Sequence, residues 1–484
     1  MKNNNGINFS NSYTNLNNKM FSNISPNGFI NSEVVVLNSS LATELNIDID
    51  FLKSEEGLSF LSGNTNAYGP LYAQAYGGHQ YGHFTMLGDG RALMLGEHIT
   101  SSNKRFDIQL KGSGRTPYSR RGDGKATLSS MLREYLISET VNALGIPSTR
   151  SLAVLQTNEE IQRTNLEKGA VLTRVASSHI RIGTFEYAKV YGDKALIKEL
   201  ADYTIDRHYS QLNHVENKYQ VFLHTVIKKQ ASLVASWQSV GFVHGVMNTD
   251  NVLISGETID YGPCAFMNQY DPNTVFSSID TNGRYAYKNQ PYITSWNLSR
   301  FAESILELLD SDIEKAVEIA NGELKKFEQY FNESWLLKMA SKFGIKNPTQ
   351  EDEIVIKEFL DMMNVYQTDF TNTFSLLTQG RFEDIIFYNT VEWNEWFKKW
   401  TRALGYRKTD VDERIQLMRA SNPKIIARNH VVEEALENAS KFGDYELFDQ
   451  LLKKVQNPYD YTIDHGITFT SPSDDKNYKT YCGT

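Results

Sequence analysis

The sequence predicts an α+β protein in two lobes, a β-rich lobe carrying one long helix followed by a larger helical lobe. Three observations lead there. Short apolar runs read as strands between residues 84 and 111, where Ile108 and Leu110 alternate with polar neighbours, and again between 151 and 175. Between those runs Leu128, Met131, Leu132, Tyr135 and Leu136 recur at helical spacing. Beyond residue 185 the period-two pattern gives way to long helical ones. With 484 residues, 40% of them hydrophobic, the chain can bury a core large enough for both parts. The expected division is an extension over residues 1–65 packing on the first lobe, the first lobe over 66–183, and the helical lobe with a C-terminal extension over 184–484.

Residues 65–98 are rich in Gly and aromatic side chains, and 84–87 and 91–95 read as strands joined by Gly88-Asp89-Gly90. Asp-Gly between two apolar runs is a strong hairpin signal. A third strand is expected over 106–111, where Ile108 and Leu110 alternate with polar residues. A glycine-rich basic loop, 112–125, leads into a helix over about 126–144 that Gly145 and Pro147 stop. Strands over 151–156 and 170–175 complete the first lobe. Helices are then expected over 195–208, 219–240, 296–309, 313–331, 351–363 and 431–455, with short strands and loop over 241–260.

Composition excludes several classes. A formal net charge of -9 argues against a nucleic-acid-binding surface, because neutralising phosphates takes clustered Lys and Arg. No apolar run approaches the roughly 18 residues of a membrane span. Residues 1–31, rich in Asn and Ser, show neither an apolar secretory core nor an Arg-rich amphipathic pattern, so a cytoplasmic protein with no membrane partner is expected. Two cysteines, Cys264 and Cys482, exclude a disulfide framework and a cysteine-rich zinc site.

The densest chemistry lies in His244-Gly-Val-Met-Asn-Thr-Asp-Asn251, followed nine residues later by Asp260-Tyr-Gly262. A His, an Asn seven residues on, and then Asp-aromatic-Gly is the active-site spacing of protein kinases, where that Asn and that Asp hold metal. Kinases place their proton-accepting Asp two residues after the His. Here the position is Val246, which accepts no proton. Lys111 ends the third expected strand, and Glu134 borders the apolar face of the long helix, as in the kinase pair that joins strand to helix beside the phosphates. Strand, hairpin, strand, long helix and two strands is also the order of a kinase N-lobe, so the expected α+β fold is bilobal and protein-kinase-like.

Other features depart from kinases. The hairpin lacks Gly-x-Gly-x-x-Gly, and Gly88-Asp89-Gly90-Arg91 sets a negative side chain where it would repel a triphosphate. In the 112–125 loop the glycines permit close backbone approach, and Arg115, Arg120, Arg121 and Lys125 attract an anion. Arg174 and Arg181 flank the segment that in a kinase leads to the adenine-holding hinge. Guanidinium forks suit a polyphosphate better than a purine, so the nucleotide is expected to lie reversed, phosphates toward the arginines.

Several long segments resemble the selenoprotein O family: Tyr76-Gly-Gly-His-Gln-Tyr-Gly82, Leu87-Gly-Asp-Gly-Arg91, the run from Gln109 to Gly124, Leu172-Thr-Arg-Val-Ala-Ser-Ser-His-Ile-Arg181, His244 to Asn251 and Thr258-Ile-Asp-Tyr-Gly-Pro263. The similarity is strong over 68–309 and resumes at Asn422-Pro-Lys-Ile-Ile-Ala-Arg-Asn-His430 and near Asn457-Pro-Tyr-Asp460. The resemblance implies a kinase-fold enzyme that moves AMP from ATP to Ser, Thr or Tyr hydroxyls of protein substrates. It implies Lys111, Arg174 and Arg181 on the phosphates, with Gly88, Gly90, Arg91, Asp123 and Gly124 completing the nucleotide site. Asn251 and Asp260 would hold Mg2+, or Mn2+ in its place, and Asp250 would accept the proton. Some members carry selenocysteine near the C-terminus, whereas this chain finishes Tyr481-Cys-Gly-Thr484.

Two competing functions stay open on residues alone. A phosphotransferase would need the γ-phosphate at Asn251 and Asp260 and a base replacing Val246. A non-catalytic scaffold would have no evident need for metal ligands. The two cysteines likewise read either as unrelated free thiols or as a redox-sensitive Cys264–Cys482 disulfide across the active-site mouth.

Overall fold

A computed structural model describes residues 5–25, 28–29, 31–406, 410–462 and 478–480. The protein is a mixed α+β structure built on one antiparallel sheet and many helices. It begins β1 (Phe21–Ile24), β2 (Glu33–Leu37), α1 (Ser39–Leu45), α2 (Ile49–Lys53), α3 (Glu55–Leu61), β3 (Leu71–Gln74), β4 (Gly77–Gln80) and β5 (His83–Met86). Next come β6 (Ala92–Ile99), β7 (Arg105–Lys111), β8 (Ala126–Thr127), α4 (Leu128–Ala143), β9 (Arg150–Gln162) and β10 (Leu166–Ala176). Then follow α5 (Ile182–Tyr191), α6 (Lys194–His208), α7 (Lys218–Ser239) and a small ribbon, β11 (Phe242–Val243) with β12 (Ala265–Phe266). The rest is helical: α8 (Gln290–Ser304), α9 (Leu306–Leu309), α10 (Ile313–Leu324), α11 (Lys326–Lys342), α12 (Asp352–Val365), α13 (Phe370–Gln379), α14 (Val391–Tyr406), α15 (Val411–Ser421), α16 (Asn429–Glu437) and α17 (Glu446–Val455).

The main sheet runs β1-β3-β6-β7-β10-β9-β2, with β8 also on β10. Side chains on a strand alternate between faces, and β7 uses both. Ile108 and Leu110 join Leu93, Val171 and Val175 in a core closed by Leu41, Leu52 and Phe60 from α1–α3. Asp107, Gln109 and Lys111 therefore face the other way, as does Arg174 of β10, which the register sets opposite Gln109. On that face α4 packs across the sheet. Its Leu132 and Leu136 are fully buried with Val154, Ala170 and Leu172, and Val432 and Leu436 of α16 close over it. Truncating either leucine to Ala would cost about 2–5 kcal/mol. The helix starts where the Thr127 side chain accepts from Ser130 N and stops before Gly145, whose φ is +75°.

The expected hairpin is corrected. The 84–87 run, β5, pairs with β4 in a separate ribbon, while β6 pairs with β7 and β3. Tyr81 and Gly82 both have positive φ, the two-residue turn that suits strand twist, and this nearer turn outcompetes Asp89-Gly90. Phe21–Ile24 and Glu33–Leu37 supply two sheet strands that their polar neighbours concealed, and α5 lies in a segment for which no element was expected. The expected 313–331 helix breaks between α10 and α11, and the 431–455 helix is split by a wide turn at Asn438–Phe442 followed by Gly443 at φ +70°. The 296–309 helix begins earlier, at Gln290, where Pro291 occupies the first turn and needs no hydrogen-bonded N–H. Among the described residues no helix is long and apolar enough to cross a membrane.

Candidate active site

The polar face of β7 and β10 forms the floor. Lys111 Nζ contacts both Glu134 of α4 and Asp260. Glu134 turns its other oxygen to Arg174 Nη1 at 3.1 Å. Arg174 also donates to Gln109 Oε1 from Nε and Nη2, at 3.2 and 2.5 Å. Lys111, Glu134 and Arg174 are all buried. A charge buried in this way is tolerated only when paired and hydrogen-bonded, and each here has a partner.

Asp260 sits at φ +70°, a left-handed backbone that costs a residue with a Cβ roughly 1 kcal/mol. Its neighbours fix it there. Tyr261 is fully buried and its hydroxyl donates to Thr258 O at 3.2 Å. Arg133 of α4 donates to Gly262 O at 2.9 Å and to Cys264 O at 2.7 Å. Burial pushes the Asp260 carboxyl up, but the charges of Lys111, Arg91 and Arg174 outweigh it and hold the group far below the usual carboxylate range.

The loop between β11 and β12 is tied at every residue near Asp250. His244 is buried, which keeps it neutral, with Nε2 donating to Ile259 O at 2.9 Å and Nδ1 accepting from Val246 N. Asn248 Oδ1 accepts from Tyr285 OH at 2.6 Å and from Tyr81 N at 3.2 Å. Asn251 Nδ2 donates to Val246 O at 3.2 Å. Arg181, at the start of α5, donates to Asp250 O at 2.7 Å and lies 4.3 Å over the Tyr76 ring. Yet Asp250 Oδ1 and Arg181 Nε, both buried, make no hydrogen bond. Burial lifts the Asp250 carboxyl to about 6, with Arg181 opposing and Asp260 and Glu186 adding to the rise. Gly78 of β4 makes this crowding possible, since a Cβ there would stand 2.3 Å from Asp250 Oδ1.

Asp89 corrects another expectation. It does not overhang the cleft. It is buried beneath Gly88 and Gly90, accepting from Gln74 N at 3.0 Å and Gln109 Nε2 at 3.1 Å, with Arg181 Nη2 at 3.9 Å. Burial raises its pKa, Arg181 opposing. The 112–125 loop docks on this turn: Thr116 Oγ1 donates to Asp89 O at 2.6 Å, Ser119 Oγ to Gly90 O, and Tyr118 fills the space a Gly88 side chain would need. Arg91 O accepts from Gly112 N at 2.7 Å. Gly124 O accepts from Gly114 N at 3.0 Å, closing the base of the loop. Asp123 is exposed and paired with Arg163 at 2.8 and 3.0 Å, and that pair lowers its pKa.

Gln109, Arg133 and Glu186 were missed from sequence. The signal for Gln109 was its place two residues before Lys111, on the same strand face. Arg133 and Glu186 act across long chain separations and leave no local pattern. Cys264 is a buried free thiol, raised to about 12 by burial and donating to Tyr261 O at 3.2 Å. Cys482 lies outside the described residues, so the expected disulfide has no support here.

Among the described residues no cluster of three or more His, Cys, Asp or Glu could cage a metal. A divalent ion that uses one or two protein oxygens and fills its shell with phosphate and water, as Mg2+ does, still fits. Asp260 is kept ionised, and the Asn251 amide nitrogen is spent on Val246 O, leaving its oxygen to coordinate.

Comparison with known proteins identifies the family. The family model described as protein adenylyltransferase SelO matches residues 4–456. Protein nucleotidyltransferase YdiU of Clostridium botulinum (strain Alaska E43 / Type E3) is 53% identical over 483 residues, covering 99% of this chain and 98% of its own. The proteins of the same name from Brevibacillus brevis and Bacillus mycoides are each 51% identical, over 481 residues (99% of this chain, 98% of the relative) and 486 residues (100% and 99%). The chain belongs to the protein adenylyltransferase SelO family, a family of protein nucleotidyltransferases.

Proposed function

We propose that this protein transfers the AMP moiety of ATP to Ser, Thr or Tyr hydroxyls of other proteins, on a kinase-like two-lobed scaffold with ATP reversed relative to a kinase. A cytoplasmic location suits a reaction that consumes ATP. The observation that carries the reading is the pairing of a buried Val246, where a kinase has its base, with a buried, unpartnered carboxylate oxygen on Asp250. In the proposed step the acceptor oxygen attacks the α-phosphorus, the bond to the β-phosphate breaks, and pyrophosphate leaves. The acceptor's proton passes to Asp250, which is near neutral in acidity and so matched to base work at physiological pH.

Lys111, Arg174 and Arg181 would carry the departing phosphates, with Glu134 and Gln109 fixing the first two. Gly88, Gly90, Arg91, Asp123 and Gly124 would line the remainder of the nucleotide site. Asn251 and Asp260 would hold Mg2+ or Mn2+, which when bound polarises the phosphate under attack. The test is incubation with a protein acceptor and ATP labelled at the α- or the γ-phosphate. Label arriving only from the α position supports the reading. Label from the γ position makes the protein a phosphotransferase, and no label from either makes it a scaffold.

A further inference from the structure

Glu186 is a buried carboxylate on α5 that the proposed reaction leaves without a role. One of its oxygens accepts from Thr249 Oγ1 at 2.5 Å, and the other meets His79 Nδ1 on β4. His79 closes the circuit, because its backbone N–H donates to the same Thr249 Oγ1 at 2.7 Å. Three elements far apart in the chain thus meet on the residue preceding Asp250. His79 is itself braced edge-on by Trp296 and Phe84, with ring centroids at 5.4 and 5.5 Å.

The circuit sits beside the Asp250 carboxyl, one oxygen of which makes no hydrogen bond. The backbone carbonyl of Asp250 is anchored by Arg181, but its Oδ1 has no partner and rests against Gly78, one residue before His79. A base whose Oδ1 makes no hydrogen bond relies for its aim on the loop that carries it. We propose that Glu186 is a positioning residue that, through Thr249 and His79, locks the loop and the β4–β5 ribbon together so that the Asp250 carboxylate is presented to the acceptor hydroxyl. The inference rests on the reading of Asp250 as the base. It assigns Glu186 no contact with ATP or with the acceptor.

The test uses the full-length protein with Mg2+ and ATP, and measures kcat, KM for ATP and thermal midpoint. Glu186→Ala and Thr249→Val are each expected to lower kcat by about 30- to 100-fold, the effect of displacing a reacting group by an ångström or so, with KM for ATP changed less than about threefold. Thr249→Ser, which keeps the hydroxyl, should restore kcat to within about threefold of wild type, and the Glu186→Ala/Thr249→Val double variant should be no slower than either single one. Glu186→Gln serves where Glu186→Ala folds poorly, since it keeps one acceptor oxygen. Asp250→Asn is the control. Wild-type kcat in folded Glu186→Gln and Thr249→Val, with Asp250→Asn inactive, overturns the positioning role alone. Wild-type kcat in Asp250→Asn removes the base, and the positioning role with it.

Discussion

One face of β7 changes character within four residues. At Asp107 it belongs to an ionic cluster in which every carboxylate oxygen is taken. Arg207 reaches Asp107 at 2.6 Å, Glu97 at 2.7 Å and Ser177 O at 2.7 Å, while Asp107 also accepts from His179 N and Glu97 from Tyr13 N. At Gln109 and Lys111 the same face enters the candidate site, where Arg181 Nε and Asp250 Oδ1 are buried without a hydrogen bond. The carboxyls respond in opposite directions. Burial pushes both up, but Arg207 and His179 overcome it at Asp107 and bring that group down to about 2, whereas Asp250 is left at about 6. A network whose carboxylates are all paired serves stability, even though His179 Nε2 within it makes no hydrogen bond. An open one carries unmet hydrogen-bonding capacity that a ligand can meet.

The sharpest way to break this contrast is to remove a charge from each end. Asp260→Ala takes away an ionised carboxylate from the open end while Lys111 keeps Glu134, so AMP transfer should fall on the order of 10³-fold or more with the urea midpoint nearly unchanged. Wild-type rates would end its assignment to the metal site. Arg207→Ala, at the other end, strands the buried Asp107 and leaves Glu97 to Arg105, and should cost about 3–5 kcal/mol in urea unfolding, while kcat per folded molecule holds within about twofold. A loss of kcat without a loss of stability would erase the distinction.

Arg181→Ala comes next. It removes the anchor on Asp250 O and a cation facing the cleft, and should slow transfer about 100-fold. Activity at wild-type level would place the departing phosphates elsewhere.

The raised pKa of Asp250 yields a smaller effect with a definite sign. A carboxyl whose folded pKa lies above its unfolded value binds protons on folding, so ionising it costs stability as pH rises from about 4 to about 6, and the cost persists above. Asp250→Asn should therefore be more stable than wild type at pH 7, by on the order of 1–3 kcal/mol, and lose that advantage as pH falls to about 4. In the wild-type protein kcat/KM should rise with pH and level off above about 6. An Asp250→Asn protein less stable than wild type at pH 7 would contradict the burial argument.

Arg163→Ala should do least to the fold. It breaks an exposed pair with Asp123 worth about 1 kcal/mol or less. A KM for ATP that rises more than about fivefold would tie Asp123 to the nucleotide, and an unchanged KM would detach it.

Local periodicity is what the chain announced by itself. Alternation along 106–111 and helical spacing over 128–136 put Lys111 on a strand and Glu134 on a helix, and each faces the direction its neighbours require. The spacing of His244, Asn251 and Asp260 likewise marked one loop, because those residues lie within a short stretch of chain. Tertiary structure alone decided what Asp89 does, for its burial depends on Gln74 and Gln109 from strands on either side of β6. It also decided which strand β5 pairs with, since two turn signals lay within ten residues and only the packed sheet chooses between them. Glu186 meets His79 across 107 residues and Thr249 across 63. Periodicity reports which face a side chain occupies; which distant face it meets is set by how the elements pack, and no local pattern encodes that.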